Sequence, residues 1–361
     1  MAGRIVLILL AVLVGCILIL VVALLAVSPG KPKPPLAGGI SEKIRVNING
    51  VQQGMFIRSR DEANPVLLFL HGGPGMPEYF LTRSYPTGLE DLFTVCWWEQ
   101  RGSGLSYNAD IPPQTMTVEQ LIADTIEVTN YLRKRFGKEK IYLLGHSWGS
   151  FLGIQVAARA PELYHAYIGM AQVTYQIQSE KLAYEYMLGQ YRDRGNKAMV
   201  RKLEKTPITM TGPLPKPYLV LRDVAMHGLG VGTTRDMKSV VSGIFFPVMR
   251  FPEYTSREKI DIWRGKGFSR SFDLWDRMMS TDLTAAVPEL KLPVYFCHGT
   301  HDYTVTYNET RAYFDKLRAP LKGFYAFWQS AHSPAFEEPR KMLQILREDV
   351  LAGANRLADA R

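Results

Sequence analysis

The chain opens with an uninterrupted apolar, uncharged stretch from Ile5 to Val27. At about 1.5 Å per residue, a helix of this length would cross a bilayer core of about 30 Å. It exceeds the apolar core of a cleavable signal, about 7–15 residues. The exit, Ala26-Val27-Ser28, is also a poor cleavage site. The pattern therefore predicts a transmembrane anchor, followed by the Pro/Gly-rich spacer Ser28–Gly39 (SPGKPKPPLAGG), together residues 1–39. Leu13-Val14-Gly15-Cys16 resembles a lipobox, but Ile17–Val27 would give the processed chain an apolar start where a polar tether is usual. Arg4 flanks the stretch on one side, and Lys31, Lys33, Lys43 and Arg45 on the other, so charge does not favour export of the domain.

From residue 40 the apolar pattern changes period. Ile44–Ile48 and Met55–Arg58 flank Asn49-Gly50, a hairpin signal. Short apolar runs then predict strands at Pro65–Leu70, Phe93–Trp98, Ile141–Leu144 and Tyr167–Met170. Thr117-Val118-Glu119-Gln120 is a capping box that opens a helix to about Phe136, and a second helix runs from about Trp148 to Ala160. The alternation stops between 172 and 288, a stretch rich in Met, Tyr, Phe, Arg and Pro with helical patterning and no clear strand. It resumes with strand Pro293–Cys297, helix Thr306–Leu317, strand Gly323–Trp328 and helix Pro334–Leu351. The economical reading is an α/β fold: a mostly parallel, doubly wound sheet built from 40–171 and 289–361, with 172–288 inserted as a helical cap over the strand ends.

Composition narrows the function classes. A net charge of +9 is scattered rather than blocked, which argues against a nucleic-acid partner. Three cysteines, Cys16, Cys96 and Cys297, form no CxxC or Cys/His ligand spacing, so no disulfide framework or zinc site is indicated.

Gly145-His146-Ser147-Trp148-Gly149 follows an apolar strand and precedes a helix, the context of a nucleophile elbow. His71-Gly72-Gly73-Pro74-Gly75 follows strand Pro65–Leu70, where a loop supplies one oxyanion N–H; Gly73 is the candidate, and Trp148, after the nucleophile, supplies the other. A serine nucleophile needs a base and an orienting carboxylate. Asp302 lies just past strand Pro293–Cys297, and His332 just past strand Gly323–Trp328, in the order serine, acid, histidine. Asp282 and Glu289 remain alternatives for the acid. His71 and His146 read as structural, His298 and His301 flank the acid, and His165 and His227 have no strand-end context. Gly228-Leu229-Gly230-Val231-Gly232 lacks the preceding strand that a phosphate loop needs. Asn308-Glu309-Thr310 is a glycosylation sequon at a helix start.

HGGPG (71–75), WWEQRGSGLS (97–106), GHSWGS (145–150), GTHDYTV (299–305) and SAHSPAFEEP (330–339) together resemble the proline iminopeptidase branch of the α/β-hydrolases, over about residues 40–350. The resemblance implies an α/β-hydrolase fold, the triad Ser147–Asp302–His332, an oxyanion hole at Gly73 and Trp148, a helical cap, and no metal or cofactor. Glu99-Gln100-Arg101-Gly102 matches the family's acidic QRG segment and reads as structure bordering the site. Serine at 147 argues against haloalkane dehalogenases and epoxide hydrolases, which use aspartate there. Family peptidases hold the substrate amine with cap carboxylates; Glu180, Glu185, Glu204, Glu253 and Glu258 are candidates, though none aligns with a family motif. The expectation is a membrane-anchored, extracytoplasmic serine hydrolase acting through an acyl-enzyme. It would be an aminopeptidase on short peptides or, alternatively, a carboxylesterase or lipase-like enzyme with the same triad. An intact triad disfavours a non-enzymatic binding protein.

Overall fold

Asn49 and Gly50 both adopt positive φ, 46° and 80°, the backbone that a two-residue hairpin turn requires. They join β1 (Ile40–Ile48) to β2 (Val51–Ser59), paired antiparallel from Ile40↔Ser59 to Ile48↔Val51. The hairpin is longer than its apolar positions predict, because the ladder continues through the polar, half-exposed residues of β1. In this computed structural model residues 2–26, 31, 34, 36 and 38–360 are described, and in the first helix side-chain surroundings are described for 3–16.

The sheet continues with β3 (Val66–Leu70), β4 (Thr94–Trp98), β5 (Ile141–His146), β6 (Tyr164–Met170), β7 (Val294–Gly299) and β8 (Lys322–Phe327). The eight strands run in the order β1-β2-β4-β3-β5-β6-β7-β8. The pairs β1/β2 and β2/β4 are antiparallel and the remainder parallel. The mostly parallel, doubly wound sheet expected from the sequence is therefore present. Its central strands are buried on both faces, as the continuous apolar runs require. Val66, Leu68 and Leu70 pack on one side with Trp148, Phe151 and Phe296, while Leu67 and Phe69 pack on the other with Leu144, Ile168 and Phe336.

Helices α2 (Val118–Phe136) and α3 (Trp148–Arg159) connect the first parallel strands. Thr117 accepts a hydrogen bond from Gln120 N at 3.1 Å, one half of the expected capping box, while the Gln120 side chain turns instead to Asp124 at 2.9 Å; Gly137, at φ 59°, ends α2. Between β6 and β7 lie α4 (Gln176–Asp193), α5 (Lys197–Glu204), α6 (Lys216–Leu229), α7 (Phe246–Arg250), α8 (Ser256–Arg270), α9 (Leu274–Ser280) and α10 (Leu283–Ala286). Several of these share an apolar cluster of their own, including Ile177, Met187, Tyr218 and Met226. After β7 come α11 (Tyr307–Lys316), α12 (Pro334–Glu337) and α13 (Pro339–Ile345). The single helix expected over 334–351 is divided at Pro339, which has no N–H to continue the ladder.

The N-terminal expectation is corrected. Among the described residues no helix is long and apolar enough to cross a membrane. The N-terminal helix α1 is Ala2–Ala26, with side-chain surroundings described for Gly3–Cys16. The anchor, the membrane attachment and the extracytoplasmic placement that depended on it are withdrawn. The Ser28–Gly39 spacer lies largely outside the described residues.

Candidate active site

The elbow is built by a sharp change of backbone. β5 ends at His146, Ser147 takes φ 54° and ψ −121°, and α3 begins at Trp148. A serine at positive φ is strained, and such strain is tolerated only where surrounding contacts enforce it. Here Ser147 N donates to Met170 O at 3.1 Å, and Ser147 O accepts from Ser150 N at 2.8 Å. The flanking glycines allow the close approach: a Cβ on Gly149 would lie 2.0 Å from Leu70 O, and one on Gly145 would lie 2.4 Å from Gly149 O.

The loop after β3 faces this elbow. Gln100 connects the two: its side-chain amide donates to His71 O at 2.9 Å, and its Oε1 accepts from Trp148 Nε1 at 2.9 Å. Gln100 N also donates to His71 Nε2 at 3.1 Å. The segment read as a structural border thus ties the HGGPG loop to Trp148. Beside it, Arg101 and Asp124 form a buried, two-point ion pair at 2.6 and 2.9 Å. Among the described residues, the backbone N–H groups of Gly73 and Trp148 have no acceptor. Trp148 is the first residue of α3, where such donors are free and the helix dipole favours negative charge.

Asp302 and His332 meet beyond the ends of β7 and β8: His332 Nδ1 lies 2.8 Å from Asp302 Oδ2. Asp302 Oδ1 accepts from Thr304 N at 2.8 Å and Val305 N at 3.0 Å, which fixes the carboxylate. With Nδ1 donating to Asp302, Nε2 is left as the acceptor that a serine hydroxyl requires. Burial alone would raise the Asp302 carboxyl, but the charge of His332 and hydrogen bonds from His298 and His332 outweigh it, holding the group well below the usual carboxylate range. Burial lowers the His332 imidazole, only partly offset by Asp302. The other candidate acids are engaged elsewhere. Asp282 caps α10 through Thr284 N at 2.8 Å, and Glu289 pairs with Arg318 at 2.8 Å. Ser147 stands at the same junction by way of its neighbour: the His146 and His332 rings are 4.9 Å apart, and His146 Nε2 lies 2.8 Å from His332 O. Among the described residues no hydrogen bond joins the Ser147 hydroxyl itself to His332. Contacts of this kind commonly tighten only with substrate bound.

Two acids that the sequence reading does not single out border the site. Glu78 accepts from Gly72 N at 2.7 Å and meets His146 Nδ1 at 2.8 Å. Glu337 accepts from Ala331 N at 3.0 Å and Ser333 N at 3.2 Å, the residues on either side of His332, and from Arg235 N at 2.6 Å. Burial pushes its carboxyl up to about 7 despite these donors. Glu337 lies inside a motif already singled out, so its spacing from His332 was a usable signal; Glu78 has no local signal. The glycine-rich 228–232 loop has a structural task here: Gly232 O accepts from His332 N at 3.3 Å, and Val231 O from Tyr303 N at 3.2 Å.

This arrangement has relatives. Residues 65–339 match the α/β hydrolase fold family. The chain belongs to the α/β-hydrolase family. It is similar to the probable aminopeptidase YbaC of Bacillus subtilis, with 35% identity over 81% of this chain and 91% of that protein. It is also similar to the proline iminopeptidase of Saccharolobus solfataricus, with 25% identity over 79% of this chain and 84% of that protein. Among solved structures, the proline iminopeptidase of Mycobacterium smegmatis superposes with a TM-score of 0.59 at 20% identity, covering 86% of this chain and 100% of that one; this likeness concerns the fold.

Within this α/β-hydrolase the candidate amine-binding carboxylates are mostly engaged. Glu180 is buried against Arg222 at 2.6 Å. Glu258 bonds Lys43 and Arg45, both at 2.9 Å. Glu204 pairs with Arg192 at 2.8 Å, and Glu185 lies 3.8 Å from Lys181. Glu253 interacts with Tyr79. Glu99, which the sequence placed at the border, is buried; burial raises its carboxyl to about 7, opposed by the Tyr254 hydroxyl. Among the described residues no group of three His, Cys, Asp or Glu side chains could hold a metal ion.

Proposed function

We propose that this hydrolase acts through an acyl-enzyme on Ser147, with His332 as base and Asp302 as its orienting acid, and that it releases the N-terminal residue of short peptides. The observation that carries the reading is the 2.8 Å contact between His332 Nδ1 and Asp302 Oδ2, which fixes the tautomer that leaves Nε2 free for the serine of the neighbouring strained elbow. His332 Nε2 takes the hydroxyl proton as Ser147 Oγ adds to the substrate carbonyl. The oxyanion is received by the N–H groups of Gly73 and Trp148. The protonated His332 then gives its proton to the leaving amine as the C–N bond breaks. Water, deprotonated by His332, splits the ester, releases the acid and restores Ser147. Residues 172–288 act in this reading as a cap over the core formed by 40–171 and 289–361. The names of the two relatives support a peptide substrate.

A second reading, a carboxylesterase with the same triad, is favoured by one observation. Four of the five cap acids considered for the substrate amine are already paired with lysine or arginine. The two readings separate on paired kcat/KM values for proline p-nitroanilide and p-nitrophenyl butyrate, with Ser147→Ala as control. Cleavage of the anilide that is abolished by blocking its amine supports the peptidase. Cleavage of the ester alone overturns the peptidase and keeps the triad. Full activity in Ser147→Ala overturns both.

A further inference from the structure

Glu78 and His146 form a buried pair that the reaction as written does not use. Their exposures are 8% and 3%. His146 Nε2 faces the carbonyl oxygen of His332 at 2.8 Å, and a carbonyl only accepts, so Nε2 carries a proton. His146 Nδ1 faces the Glu78 carboxylate at 2.8 and 2.9 Å. The same carboxylate accepts Gly72 N at 2.7 Å, one residue before the oxyanion donor Gly73. The Glu78–His146 pair therefore links three segments that are far apart in sequence: the loop after β3, the elbow and the loop of His332.

We propose that Glu78 is a positioning residue for this reaction, holding the oxyanion loop at Gly72, the elbow at His146 and, through His146, the backbone of the base His332. The inference rests on the serine-hydrolase reading of the site above. Its physical basis is preorganisation: catalytic groups lose rate steeply when displaced, and a charge-assisted hydrogen bond in a dry site is a stiff restraint. With Nε2 donating to a carbonyl and Nδ1 facing a carboxylate, the contact needs a proton between Nδ1 and Glu78. Burial works against charge on both groups, but the neighbouring charges and hydrogen bonds outweigh it, shifting the His146 imidazole up and the Glu78 carboxyl down, toward a cation beside His332. His332 is faced by Asp302, His146 and His298; Glu78 and Asp302 face His146, and His71 faces Glu78.

The test is the rate at which a fluorophosphonate probe labels Ser147 in the full chain, separated into kinact and KI. In labelling, Ser147 Oγ forms a bond to phosphorus, fluoride leaves and the hydroxyl proton passes to His332, so no knowledge of the natural substrate is needed. Glu78→Ala removes the contacts to Gly72 and His146 and leaves the His146–His332 bond without its support, and kinact is expected to fall about 10²-fold with KI changed less than about threefold. Glu78→Gln can still accept from Gly72 N and donate to a neutral His146, so its kinact is expected within about fivefold of the parent. That variant removes the cation facing His332, so the acid limb of its kinact/KI profile moves to higher pH, a shift that a merely structural residue would not produce. A folded Glu78→Ala with parental kinact overturns the proposal. If Glu78→Ala does not fold, an unmoved acid limb in Glu78→Gln overturns it. Equal labelling of Ser147→Ala instead overturns the underlying reading of the site.

Discussion

Arg222 closes on Glu180 with Nη2 at 2.6 Å and Nε at 2.7 Å, burying the acid fully between α4 and α6. Tyr218 OH adds a hydrogen bond at 3.2 Å and Gln176 Nε2 another at 3.1 Å. A carboxylate so enclosed serves the packing of the helices between β6 and β7 rather than an incoming amine. Removing one partner of such a pair strands the other charge. Arg222→Met is expected to destabilise the protein by about 3–5 kcal/mol, and adding Glu180→Gln to recover part of that loss. Urea unfolding of the single and double variants measures both. A single-variant loss below about 1 kcal/mol would mean that Glu180 reaches water or another cation.

The lowered His332 imidazole sets the acid limb of activity. A base whose affinity for protons is reduced stays neutral, and hence active, at pH values below its ordinary 6.5. The kcat/KM profile for p-nitrophenyl butyrate is expected to lose activity only below pH 6.5. A limb centred above that value would contradict the burial argument. Asp302→Asn is expected to reduce kcat by about 10⁴-fold, the size of the same change in a studied serine protease, because the amide no longer imposes the tautomer.

Glu337 offers a separate test of the base loop. Its carboxylate receives the N–H groups on both sides of His332, so Glu337→Ala leaves two partly buried donors without an acceptor. A stability loss of about 1–3 kcal/mol is expected, with a fall in kcat larger than any change in KM. Glu337→Gln keeps an acceptor oxygen and should retain most of both. Equal behaviour of the two variants would show that the loop is held by other contacts.

Gly149→Ala probes the elbow sterically. Its Cβ would stand 2.0 Å from the backbone oxygen of Leu70. Backbone cannot swing aside as a long side chain can, so the expected loss is about 3 kcal/mol or more, seen as a lowered Tm. A variant as stable as the parent would mean that β3 and α3 approach less closely than described.

The periodic parts of the molecule were legible in the amino-acid order. Apolar runs such as Leu67–Leu70 and Leu143–Leu144 marked strands buried on both faces. Asn49-Gly50 and Thr117 marked a turn and the start of a helix, because those backbones depend on the residues themselves. At the N-terminus a long apolar stretch predicts a membrane span that no described helix bears out. The last helix is divided at Pro339, where apolar patterning predicts one continuous element.

What the sequence by itself determined about this protein is therefore local: element type, the Gly-x-Ser-x-Gly turn, and the placing of Asp302 and His332 just beyond strand ends. Only the tertiary structure decided which charges meet. Glu78 with His146, Glu180 with Arg222 and Arg101 with Asp124 are separated by 68, 42 and 23 residues. No spacing rule encodes such pairs. Burial makes an uncompensated charge costly, and the fold alone determines which oppositely charged group lies within about 3 Å to compensate it.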